Sequence, residues 1–145
     1  MKTTLLLSML LLAVWSAASG ADQAVGSVKT YQPESLIYRD GIQGPASVGT
    51  PIHVGDRIVT RSQGAVGITF VDGSVLSLGP QTEFIIDELT FRPAAKDVSF
   101  LSRLLRGTAT FVSGAIGRIS PESVQFKTPT ATLGLRGTKV LIKVQ

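Results

Sequence analysis

Ala65-Val66-Gly67-Ile68-Thr69-Phe70-Val71-Asp72-Gly73-Ser74-Val75-Leu76-Ser77-Leu78 is two short apolar runs joined by Asp72-Gly73. The flanks are rich in β-branched and aromatic residues with a period near two, which is the pattern of extended chain. Asp and Gly tolerate the positive φ angles that a tight reversal demands, so the stretch reads as a β-hairpin and sets the fold class. A two-residue loop would place Phe70 opposite Val75 and send Leu76 and Leu78 to the face away from Val66, Ile68 and Phe70. Both faces would then be apolar. Either the ribbon is covered on both sides within a layered β structure, or the turn is longer than two residues and the register shifts.

Working outward, similar short stretches separated by Gly, Pro and Asp run through the chain after its first 20 residues. Candidate strands are Val25 to Tyr31, Ser35 to Tyr38, Arg57 to Thr60, Ala65 to Val71, Ser74 to Leu78, Glu83 to Phe91, Val98 to Leu105, Thr108 to Val112, Ser123 to Thr128 and Thr138 to Val144. The expected fold is all-β, a compact β-sandwich or a short solenoid-like stack of about ten short strands. No long helical period interrupts it. Phe111-Val112-Ser113-Gly114 echoes Phe70-Val71-Asp72-Gly73, which hints at two related β units. Arg92 to Asp97 and Gly114 to Glu122 read as connecting loops, too short to divide the chain into domains.

Residues 1–20 have secretory-signal grammar: Lys2, an apolar run from Leu5 through Trp15, then Ser16, Ala17, Ala18, Ser19 and Gly20. The run is shorter than the roughly 20 residues that span a bilayer. Cleavage after Gly20 is expected, leaving residues 21–145 as one domain in the periplasm or outside the cell, with no stable membrane anchor. The absence of cysteine excludes disulfides, a lipobox, thiolate metal sites and a cysteine nucleophile. The net charge of +4 is scattered without a basic block or interleaved aromatics, so nucleic acid is not an expected partner.

Catalytic constellations are scarce. His53 is the only histidine, so neither a His-based catalytic pair nor a multi-histidine metal site can be assembled, and it reads as a strand-edge surface residue. No serine stands in a nucleophile elbow. Glu83 and Asp87, four apart, would share one strand face, with Glu88 beside them; two carboxylates across a cleft are what a glycosidase needs. The alternative is a solvated face opposite buried Phe84 and Ile86, favoured because aromatics for sugar stacking are only 6% of the chain. No enzyme activity and no cofactor is expected.

Two clusters place a charged residue beside glycine at the start of a strand: Val54-Gly55-Asp56-Arg57-Ile58-Val59-Thr60, and Thr128-Pro129-Thr130-Ala131-Thr132-Leu133-Gly134-Leu135-Arg136-Gly137-Thr138. A phosphate-cradling loop would lead into a helix, whereas Arg136-Gly137-Thr138 leads into Val140-Leu141-Ile142. Turn chemistry is therefore expected, with Asp56 and Arg136 capping backbone groups or pairing with each other.

The ordered set Gly55-Asp56-Arg57-Ile58-Val59-Thr60, Phe70-Val71-Asp72-Gly73-Ser74, Arg106-Gly107 and Thr128-Pro129 with Gly134-Leu135-Arg136-Gly137-Thr138 resembles the FecR family of periplasmic domains. The resemblance implies an all-β envelope domain that works through protein contacts and has no catalytic role. In the family's regulators a cytoplasmic sigma-factor segment and a transmembrane helix precede the periplasmic part; here a signal-like segment stands in their place. The expected function is an exported interaction or sensory module whose partner is an envelope protein. Its alternatives are a carbohydrate- or cell-wall-binding domain using Glu83 and Asp87, and a structural surface protein that self-associates through strand edges.

Overall fold

A computed structural model describes residues 23–136 and 139–145; the signal-like segment, Gly137 and Thr138 lie outside them. Twelve strands are formed: β1 (Gly26–Gln32), β2 (Ser35–Arg39), β3 (Ile42–Pro45), β4 (Pro51–Ile52), β5 (Arg57–Thr60), β6 (Ala65–Phe70), β7 (Val75–Leu78), β8 (Glu83–Arg92), β9 (Asp97–Val112), β10 (Val124–Lys127), β11 (Thr132–Gly134) and β12 (Lys139–Val144). A short α-helix, α1 (Ala115–Ile119), followed by a 3-10 turn (Pro121–Ser123), joins β9 to β10. The all-β expectation holds. The short β3, β4 and β11 carry no alternating apolar pattern that would announce them in the sequence.

The Asp72-Gly73 hairpin takes the longer of its two turns. Phe70 donates its N–H to Ser74 O at 2.9 Å and Gly73 donates to Phe70 O at 3.0 Å, with Gly73 at φ +83°. That is a three-residue loop ending in a glycine bulge. Thr69 therefore faces Val75 and Ile68 faces Leu76. The shift puts Leu76 and Leu78 on the same buried face as Val66, Ile68 and Phe70, so one face is core and the other carries Thr69, Val75 and Ser77.

The expected break between Val98 to Leu105 and Thr108 to Val112 does not occur: β9 runs 16 residues. Its first part pairs with β8 and, in parallel, with β10; from Gly107 onward it pairs with β7 and β12. The strand thus belongs to two sheets and bends from one to the other at Gly107, where φ is +93°, a corner of the kind that lets a curled sheet close on itself. One half holds β12, β9, β7, β6, β1 and β4; the other holds β3, β2, β5, β8, β9, β10 and β11. The two halves face each other across one core, so the sandwich-like alternative is the one adopted.

Alternate inward residues build that core. Phe70 and Phe111 from the first half meet Phe100 and Phe126 from the second, with ring centroids 4.9 Å apart for Phe70–Phe100 and 5.0 Å for Phe111–Phe126. These edge-on contacts add to the burial of rings that are each at most 3% exposed. The two echoing segments, Phe70-Val71-Asp72-Gly73 and Phe111-Val112-Ser113-Gly114, lie against each other. Phe111 lies opposite Leu76, and a Cβ on Gly114 would strike the Asp72-Gly73-Ser74 backbone. Only glycine lets the end of β9 press against that turn.

Candidate functional site

Gly55 and Asp56 close the turn before β5. Asp56 donates its N–H to His53 O at 3.2 Å, and Gly55 at φ +90° takes the position that favours glycine. Asp56 is 0% exposed. Its carboxylate accepts two hydrogen bonds from Arg39, from Nε to Oδ1 and from a terminal guanidinium nitrogen to Oδ2, both at 2.7 Å. The His53 amide donates to Oδ2 at 2.8 Å. Hydrogen bonding to Asp56 raises the Arg39 guanidinium above its ordinary value. The expected Asp56–Arg136 pair is not formed: Arg39 from β2 fills that position, and Arg136 is exposed. Nothing local marks Arg39 in the sequence, because the pair is assembled by the β2–β5 ladder.

Asp72 is equally occupied. One carboxylate oxygen accepts from the N–H and the hydroxyl of Ser74, the other from the Ile116 N–H at 3.2 Å, and its carbonyl accepts from the Ala115 N–H at 2.9 Å. A turn acid from the hairpin thereby caps the first turn of α1, 44 residues later. Gly134 ends β11 without positive φ and with open space where a Cβ would stand, so no backbone freedom is needed there, contrary to expectation.

Glu83 and Asp87 do lie on the outer face, opposite buried Phe84 and Ile86. A bulge at Asp87 then turns Glu88 outward as well. They line no cleft together. Asp87 is held by Arg103 through bonds of 2.8–3.0 Å, which raise the Arg103 guanidinium above its ordinary value. Glu83 accepts from Arg57 Nε at 2.6 Å and has Arg106 Nε at 3.5 Å. Both carboxylates are thus engaged by arginines of neighbouring strands. Among the described residues no cluster of three or more His, Asp or Glu side chains is placed to hold a metal ion.

What does converge is a groove of about 870 Å³ at the end of the sandwich where β9 changes sheets. Thr60 and Thr108 line it, and a seam of hydrogen bonds joins them through buried Thr82. The Thr60 hydroxyl donates to Gly79 O at 2.6 Å and accepts from the Thr82 N–H at 2.9 Å, while the Thr82 hydroxyl accepts from the Thr108 N–H at 3.0 Å. Gly107 lies directly over Thr82, and a Cβ there would overlap its hydroxyl and Cα. The walls carry Arg57, Arg61, Arg106 and Lys143, with Tyr38 and Gln81. The Arg57 guanidinium sits 5.2 Å from the centre of the Tyr38 ring. The four cations come from three strands and a loop, so no stretch of sequence shows them together. Gly107 did leave a signal: an isolated glycine inside an apolar β run reads as a bulge or a close backbone approach.

A family model described as FecR protein matches residues 56–145. Comparison with curated proteins and with solved structures found no match.

Proposed function

The chain belongs to the FecR family, and on that premise we propose that it is an exported, non-enzymatic interaction or sensory module of the bacterial cell envelope, acting on an envelope protein. The observation that carries the reading is the extent of the match. It begins at Asp56 and includes the Asp72 turn, the Gly107 corner and every strand from β5 to β12. Membership supports an envelope-associated signalling domain rather than an enzyme. No helix among the described residues is long and apolar enough to cross a membrane. The signal-like grammar of residues 1–20 supports export.

We assign Gly55, Asp56, Asp72 and Gly73 architectural roles, since buried acids with full hydrogen bonding make turns and caps rather than ligand contacts. The test has two parts. Intact mass of the protein from a periplasmic fraction should correspond to a chain starting at Ala21 or within a few residues of it. Photo-crosslinking in intact cells from surface positions should then yield a discrete protein adduct. Full-length chain in the cytoplasm, or retention on purified cell-wall glycan without any protein adduct, would replace this reading.

A further inference from the structure

The groove at the β9 corner joins two properties: several cationic side chains and an open strand edge beside them. Arg57 and Arg106 share the single carboxylate of Glu83, so the three groups together retain one positive charge. Arg61 and Lys143 have no ion-pair partner among the described residues, and no acidic residue lines the groove. Cations gathered in a concave surface and only partly neutralised attract an anionic partner and lose that attraction in salt. Arg57 is also held in place, by Glu83 on one side and the Tyr38 ring on the other, which lowers the entropy lost on gripping a carboxylate.

The groove's dimensions and surroundings identify the kind of anion. About 870 Å³ is far more room than an inorganic phosphate fills and is in the range of a ligand of several residues. Lys143 and Val144 belong to β12, which among the described residues pairs with β9 on one side only. Its other edge offers main-chain N–H and C=O groups running up to the groove, the arrangement that accepts an extended peptide as an added strand. We propose that this groove, with the free edge of β12, binds an extended acidic segment of the partner protein, whose carboxylates meet Arg57, Arg61 and Lys143. The inference rests on the interaction reading above and names the chemistry of its partner.

The experiment uses the mature protein and a fluorescein-labelled peptide of about eight residues alternating glutamate with valine, read by anisotropy at low salt and at about 0.5 M. Arg61→Ala with Lys143→Ala removes two exposed cations from the groove; Lys29→Ala with Lys127→Ala removes two exposed strand cations elsewhere and matches the change in net charge. Binding should be at least about tenfold weaker in the groove pair, changed less than about twofold in the control pair, and abolished by salt. Equal loss in both pairs would mean general charge attraction and would overturn the proposal. So would wild-type binding by the groove pair, or displacement of the peptide by inorganic phosphate at a similar concentration. If the cellular protein adduct persists in the groove pair while the peptide never binds the wild type, this inference falls and the interaction reading stands.

Discussion

Replacing Arg39 by Met tests the frame of the domain at its most demanding point. Asp56 is wholly buried, and two of its hydrogen bonds come from the Arg39 guanidinium, leaving only the His53 amide if that group is lost. Removing one partner of a buried ion pair costs about 3–5 kcal/mol because a charge is left uncompensated. Here the Arg39 side chain is 37% exposed, so water can enter in its place, and we expect about 2–3 kcal/mol. With a urea dependence of about 2 kcal/mol per molar, the unfolding midpoint should fall by about 1–1.5 M. Arg136→Ala, at an exposed position, should change stability by less than about 0.5 kcal/mol. Adding Asp56→Asn to Arg39→Met removes the stranded charge and should recover part of the loss. A midpoint for Arg39→Met within about 0.2 M of wild type would refute the argument, as would a larger shift in Arg136→Ala.

Gly107→Ala meets both a positive φ and the body of Thr82, so the two penalties add; a loss of about 3 kcal/mol or more is expected in the same titration, and an unchanged midpoint would remove the corner from the account. Gly73→Val meets strain alone, because the space around a Cβ there is open, and should cost about 1–2 kcal/mol in thermal unfolding, clearly less than Gly107→Ala. Glu122 accepts a hydrogen bond from the Ser120 hydroxyl at 2.6 Å, which, with its backbone hydrogen bond and the charge of Arg136, holds its carboxyl below the ordinary glutamate value. A depressed carboxyl stabilises the fold above its unfolded-state value and loses that contribution as pH falls through the folded one. NMR titration should therefore place the Glu122 midpoint below that of a free glutamate, and Ser120→Ala should move it upward; an unmoved midpoint would contradict the assigned cause.

The sequence by itself determined the class and much of the strand placement, since a two-residue period with Gly, Pro and Asp punctuation is a local consequence of chain geometry. It also placed the acids Glu83 and Asp87 on a solvated face, because Phe84 and Ile86 between and beside them had to be buried. Tertiary structure alone decided the rest. The hairpin register followed from which single face could reach the core, and the continuity of β9 through Gly107 followed from its having partners in two sheets. The ion pair of Asp56 went to Arg39 because the β2–β5 ladder sets them side by side, while Arg136 had only sequence motif to recommend it. The groove shows the limit most clearly. The Arg57 and Arg61 pair, Arg106 and Lys143 lie far apart in the chain, and become a site only where the folded sheet brings them to one end without enough carboxylates to neutralise them. Pairing between strands distant in sequence is written in no local pattern, because its energy comes from burial and charge shared between segments that only the fold places in contact.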